Sequence, residues 1–365
     1  MLPRAWRKHA GGGRAVRAER RRAVRDRDLR HPPRHRSDRC GVPEVTAQPT
    51  RRALLGALAT APVVAAFADA QTPADTIALW PGSPPGAPAR LPVAKTEQRA
   101  KMPGVDDRWL TGIAAPTLTV RRPAQPNGAA LLLVPGGGYG FLAWDNEGEE
   151  QARWLTARGV TCFILRYRLP GEGWAARSLV PLQDAQRAVR LIRARAADHG
   201  VDPGRVAVLG FSAGGHLAGS LATRHAEPTY TPVDAADHLS ARPDLAGLVY
   251  PVVSLSEPFT HAGSRDNLLG TPSDDSARRH ASVERGVDAQ TPPVFLAHAS
   301  DDDLVPIANS LALYQALLAA GRPAELHAFD KGGHGFGVRL PGTTPASAWP
   351  QLFAAYATRC GVFPA

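Results

Sequence analysis

From Thr117 onward, apolar runs and amphipathic stretches alternate along the chain. Strands are predicted to begin near Thr117, Ala130, Thr161, Arg205, Leu245, Val294 and Glu325. The run AALLLV from Ala129 and the run TCFIL from Thr161 have almost no polar position, which marks strands covered on both faces. Helices are predicted between them at 147–158, 183–197, 213–224 and 307–320. The second of these puts Ala185, Ala188, Val189, Leu191 and Ile192 on one side, as a helix packed on a sheet requires. Such alternation predicts an α/β fold, with a mostly parallel central sheet and helices on both faces. No internal repeat is visible.

Two glycine-rich turns directly follow apolar runs. Gly210-Phe211-Ser212-Ala213-Gly214, with His216 close behind, succeeds the run VAVL from Val206. Strand, sharp turn and helix form the setting in which G-x-S-x-G lifts a serine hydroxyl onto a strained elbow. Upstream, Pro135-Gly136-Gly137-Gly138-Tyr139-Gly140 follows Val134. Glycines there let backbone N–H groups face open space, where they can hold a developing oxyanion. In such a site one donor comes from this loop, here Gly137 or Gly138, and the other from the residue after the nucleophile, here Ala213. A dinucleotide turn would need a third glycine and an acidic end to the next strand. Phe141 and the sequence Arg166-Tyr167-Arg168 stand at those places, which disfavours a nucleotide.

An acid and a base follow in the order Ser…Asp…His. The strand from Val294 runs into Asp301-Asp302-Asp303-Leu304-Val305-Pro306, and the strand from Glu325 runs into Asp330-Lys331-Gly332-Gly333-His334-Gly335. His334, in a glycine-rich loop, can reach another strand's end, where a carboxylate would fix its tautomer. The residues by themselves leave the choice among Asp301, Asp302 and Asp303 open.

From about Leu79 to the C-terminus the chain resembles the α/β-hydrolase esterases. The match is to the acetyl-xylan-esterase-like group often labelled xylanase, which is related to BD-FAE and hormone-sensitive-lipase-like carboxylesterases. The resemblance is carried by PGGGYGFLAWDNEGEEQARWL from Pro135, LRYRLP from Leu165, PLQDAQRAVRLIR from Pro181, GFSAGGHLA from Gly210, PPVFLAHASDDDLVP from Pro292 and KGGHGFG from Lys331. It implies an α/β-hydrolase fold and a serine esterase with Ser212, His334 and an acid three residues before the Val305-Pro306 pair, at Asp302. It also implies acetyl esters on plant polysaccharide or oligosaccharide, such as acetylated xylan, as substrates. A general short-chain carboxylesterase, a prolyl-peptidase-like hydrolase and a non-catalytic carbohydrate-binding relative are the alternatives. No cofactor or metal is expected, since the triad needs none and no cysteine or histidine pair has zinc spacing.

Charge changes the picture only at the amino terminus. Residues 1–44 carry fourteen basic and five acidic side chains and little apolar periodicity, which reads as a disordered or upstream segment. Residues 45–70 then combine Arg51-Arg52, a short apolar stretch and Ala68-Asp69-Ala70, the pattern of a twin-arginine signal cleaved after Ala70. Val45 is the expected start and Gln71 the expected mature terminus, with export to the periplasm or beyond. The apolar stretch falls short of the roughly 20 residues a membrane span needs, so no anchor is expected. From Gln71 onward the chain has 27 basic and 27 acidic side chains, so a nucleic-acid partner is not expected either.

Residues 71–115 are rich in proline and should wrap irregularly around a catalytic domain at 116–365. Residues 254–291 form the longest irregular stretch and could shape a pocket. Tyr139, Trp144 and Trp174 could line a sugar cleft or simply pack, while His225, His238, His261 and His280 should face solvent. Cys162 reads as a small hydrophobe within a strand, although export could oxidise it with Cys360.

Overall fold

An apolar run such as AALLLV has no polar face to give to water, so it must be covered twice. The computed structural model describes residues 75–101 and 104–365. The expectations for residues 1–44, 45–70 and the Gln71 terminus therefore lie outside the described residues. In chain order the strands are β1 (Asp75–Ala78), β2 (Lys95–Gln98), β3 (Arg108–Thr111), β4 (Thr117–Arg121), β5 (Gly128–Val134), β6 (Leu142–Ala143), β7 (Thr161–Arg166), β8 (Val201–Phe211), β9 (Leu245–Val249), β10 (Val294–Ala299) and β11 (Ala324–Phe329). The α-helices are α1 (Glu150–Thr156), α2 (Val180–Ala194), α3 (Ser212–Arg224), α4 (Ala262–Leu269), α5 (Asp275–Ala281), α6 (Ala308–Ala319) and α7 (Trp349–Arg359).

Eight strands form one sheet in the order β1-β4-β7-β5-β8-β9-β10-β11. β7, β5, β8, β9, β10 and β11 run parallel, while β4 is antiparallel to β7 and β1 to β4. Side chains alternate between the two covered faces, as the period of a strand requires. Ala130, Leu132 and Val134 join a core with Ala185, Ala188, Val189 and Ile192 of α2. Leu131 and Leu133 join the opposite core with Ala152 and Leu155 of α1 and Phe353 and Ala357 of α7. From β5 the chain passes to β7 on one side, then crosses back to β8 on the other. Ligand crevices of open α/β sheets lie at such a reversal, outside the carboxyl ends of the strands.

The structure corrects the sequence reading in four regions. Residues 71–115 are not wholly irregular. β1 extends the main sheet, and β2, β3 and β6 form a second, three-stranded sheet. All four residues of β2 are exposed, so no apolar alternation announced it. Residues 254–291 contain α4 and α5, two short helices whose caps are the His261 and Asp274 side chains. The C-terminal α7 has no counterpart in the sequence reading, and its Pro350 sits in the first turn, where the missing N–H costs nothing. The predicted helix over 147–158 is preceded by a wide π-type turn at Asp145–Glu149 before α1 begins. Cys162 is buried in β7 and Cys360 is half-buried near the end of the chain, and both are free thiols.

Candidate active site

The turn from β8 into α3 carries Ser212 at φ 53°, a left-handed conformation that a side-chain-bearing residue rarely adopts. Packing enforces it. A Cβ on Gly210 would lie 2.2 Å from the Gly214 carbonyl oxygen, and one on Gly214 would lie 2.1 Å from that of Val134. The Val252 N–H donates to the Ser212 carbonyl at 3.0 Å and pins the elbow from the β9 side. Strain of this kind persists only where the surroundings over-determine it.

His334 reaches Ser212 from the loop after β11. Its Nε2 lies 2.9 Å from Ser212 Oγ, and its Nδ1 lies 2.7 Å from Asp302 Oδ2. Of the three successive aspartates, only Asp302 is buried. Its Oδ1 accepts the N–H groups of Leu304 at 3.0 Å and Val305 at 2.8 Å. Asp301 instead turns to the histidine loop and accepts the N–H groups of Gly332 and Gly333, each at 2.9 Å. Burial by itself would raise the Asp302 carboxyl, but hydrogen bonds from His298 and His334 hold it well below the usual carboxylate range.

The glycine loop after β5 lies against this elbow. A Cβ on Gly136 would come 2.9 Å from Ser212 Cβ. The Gly136 N–H donates to Glu147 Oε2 at 2.7 Å, so it is not free for a substrate. Gly137 and Gly138 both have positive φ, 119° and 61°, and their N–H groups make no hydrogen bond among the described residues. Ala213 lies in the first turn of α3, where N–H groups have no partner within the helix. The structure thus brings Ser212, Asp302, His334, Gly137, Gly138 and Ala213 to one place at the carboxyl end of the sheet.

Supporting contacts escaped the sequence reading. His216 Nε2 faces the Ala281 carbonyl at 2.8 Å and so carries the proton, which leaves Nδ1 to accept the Tyr139 hydroxyl at 2.8 Å. Burial pushes this imidazole down to about 4. Asn267 of α4 donates to the Gly138 carbonyl at 2.8 Å, so the stretch 254–291 touches the glycine loop directly. Tyr250, at φ 37°, packs its ring 4.9 Å from that of His334.

Other candidates fall elsewhere. Tyr139, Trp144 and Trp174 are buried and pack instead of lining an open cleft. Tyr139 is tied to His216, Trp144 donates to Glu149 Oε1 at 3.2 Å, and Trp174 lies 4.8 Å from the Arg168 guanidinium. His238 and His280 are exposed, whereas His225 and His261 are half-buried. His261 departs furthest from expectation. Its ring caps α4, lies 3.9 Å from where a Cβ of Gly138 would stand, and is pushed down by burial and by the charge of His334.

The parallel sheet, the strained serine after its central strand and the glycine loop beside it define an α/β-hydrolase. The chain belongs to the BD-FAE family, whose model matches residues 120–317. It is 34% identical over 219 residues to an acetylxylan esterase of Xylanibacter ruminicola, covering 59% of this chain and 42% of that protein. It is 36% identical over 208 residues to endo-1,4-beta-xylanase B of Butyrivibrio fibrisolvens, covering 57% of this chain and 32% of that protein. The chain therefore spans less than half the length of these two relatives. The crystal structure of an acetyl ester-xyloside bifunctional hydrolase from Caldicellulosiruptor lactoaceticus superposes with a TM-score of 0.64 at 33% identity, covering 79% of this chain and 97% of that one. These likenesses are to ester hydrolases of the same fold.

Proposed function

We propose that the protein is a serine esterase that removes short acyl groups, acetyl above all, from plant polysaccharide or oligosaccharide esters such as acetylated xylan. The observation that carries this reading is the hydrogen-bonded line Asp302–His334–Ser212, with contacts of 2.7 and 2.9 Å, beside unengaged N–H groups. His334 takes the Ser212 proton as the hydroxyl attacks the ester carbonyl. The N–H groups of Ala213 and of Gly137 or Gly138 hold the tetrahedral oxyanion. His334, oriented by Asp302, then protonates the leaving alcohol, and water releases the acyl group by the same steps. An oxyanion donor of this kind contributes about a hundred- to thousandfold in rate.

The sugar part of the proposal is supported by the acetylxylan esterase and xyloside hydrolase among the relatives. Burial of Tyr139, Trp144 and Trp174 removes three aromatic platforms for a sugar ring and favours, as a second reading, a general short-chain carboxylesterase. Release of acetate from acetylated xylan, compared with p-nitrophenyl acetate and butyrate, separates the two. Ser212→Ala should abolish turnover of every ester with the fold intact. Full activity in that variant would remove the serine mechanism, and activity on p-nitrophenyl esters without any on xylan would select the second reading. We also propose export through the twin-arginine segment.

A further inference from the structure

The wide turn at Asp145–Glu149 carries a carboxylate that the triad does not use. Glu147 is 3% exposed, and each of its oxygens accepts from a neutral donor. Oε2 takes the Gly136 N–H at 2.7 Å, and Oε1 takes the Tyr250 hydroxyl at 3.0 Å. The same Tyr250 oxygen accepts the Gly337 N–H at 3.1 Å, and its ring stands 4.9 Å from that of His334. The adjacent Asn146 donates to the Gly335 carbonyl at 2.8 Å. One turn of the chain therefore grips both the loop with the oxyanion donors and the loop with the imidazole. Interruptions of π type recur at functional sites for such re-aiming of side chains.

Charge separates Glu147 from an ordinary buried hydrogen-bond acceptor. A buried carboxylate is costly without a cation beside it. Among the described residues no lysine or arginine is bonded to Glu147. Arg339, whose charge reaches it, is taken up by Glu150 and Asp107. The remaining titratable groups around the pair are Asp302, which faces His334 from the β10 side, Tyr167, Tyr250 and His261. Burial pushes the Glu147 carboxyl up, and the Gly136 N–H, the charge of His334 and the Tyr250 hydroxyl draw it back down. His334 becomes a cation as it takes the Ser212 proton. An attraction that strengthens at that moment lowers the barrier, whereas one present throughout does not.

We infer that Glu147 is a positioning residue of this hydrolase. It sets the oxyanion loop through Gly136 and the histidine loop through Tyr250, and its buried negative charge favours the imidazolium that forms at His334 in the transition state. This rests on the proposed roles of Ser212, His334 and Asp302.

Three variants of the full chain test it, each assayed for kcat and KM on p-nitrophenyl acetate across pH. Glu147→Gln keeps an acceptor for Gly136 but loses the charge. We expect kcat to fall by about 10- to 100-fold with KM changed less than about threefold, as for a loss confined to the transition state. The acid limb of kcat/KM should move to lower pH by about half a unit or more, since removing an anion makes the imidazolium less favourable. Glu147→Asp retains the charge and should leave the limb in place while lowering kcat. Tyr250→Phe cuts the ties to both Glu147 and Gly337 and should lower kcat about three- to tenfold. A Glu147→Gln enzyme with an unmoved limb and kcat within about twofold of wild type would overturn the inference. Should that variant fail to fold, undiminished kcat in Tyr250→Phe overturns it and a lowered kcat supports it. A wild-type chain inactive on every ester would instead bring down the triad reading itself.

Discussion

Asp302 and His298 meet inside the sheet, with His298 Nε2 3.2 Å from the same Oδ2 that faces His334. The Val305 carbonyl lies 2.9 Å from that Nε2, so the nitrogen carries a proton, while Nδ1 pairs with the Ser310 hydroxyl at 2.8 Å. A second, buried imidazole thus donates to the carboxylate and keeps it ionised and fixed in place. This sets Asp302 apart from its two exposed neighbours.

Asp302→Asn should therefore lower kcat on short esters on the order of 10⁴-fold, by analogy with other triads. Asp303, exposed at the surface, should tolerate the same change with activity near wild type. Asp301→Asn keeps an oxygen for the Gly332 and Gly333 N–H groups and should cost only a few-fold. Steady-state kinetics of the three variants decide the matter, and a collapse at Asp301 or Asp303 with Asp302 spared would move the acid.

The stretch that holds α4 should act on catalysis through one side chain. Asn267→Ala removes the donor to the Gly138 carbonyl, leaving the loop less well placed. The expected loss of stability is about 1 kcal/mol, the usual worth of such a bond. The expected loss of kcat is larger, about tenfold, because oxyanion donors must be aligned before reaction. Urea unfolding and kinetics on the same preparation should find this imbalance, and an unchanged kcat would show that α4 does not steer the loop.

His216 should make stability pH-dependent. Its imidazole titrates at about 4 in the folded chain because burial opposes its charge. The unfolded chain titrates it near 6.5, so between about pH 6.5 and 4 the unfolded state binds the proton first. Its contribution is thus complete above about pH 6.5 and is lost as pH falls toward 4. His216→Gln should flatten part of that decline while losing stability at pH 7, where the Tyr139 and Ala281 bonds are weakened. Denaturant unfolding at both ends of the window tests this, and parallel pH curves for wild type and variant would contradict it.

The amino terminus is tested in cells. Protein recovered outside the cytoplasm should begin at Gln71, as read by mass spectrometry of its first peptide. Arg51→Lys together with Arg52→Lys should block export, because a receptor reads the twin arginines and does not accept positive charge in general. Export of the double variant, or recovery of leader peptides from exported protein, would overturn the signal reading.

Periodicity and apolar runs in the sequence determined the alternating strands and helices, because each such segment must bury a face whatever its neighbours are. Ser212 and His334 could be singled out because each follows a strand within a glycine-rich turn, where local backbone geometry exposes a side chain. Elements whose stability comes from partners were not legible. β2 is exposed at every position, and α4 buries only Ser264 and Leu268. The resemblance pointed to Asp302, but the residues by themselves left the aspartate open, and its burial belonged to the tertiary structure. Three identical neighbours carry one chemistry, and only the turn at the end of β10 decides which faces the imidazole. Among 33 acidic side chains nothing local distinguishes Glu147. Its place between Gly136 and Tyr250 joins loops far apart in the chain, a proximity that only the order of strands in the sheet creates.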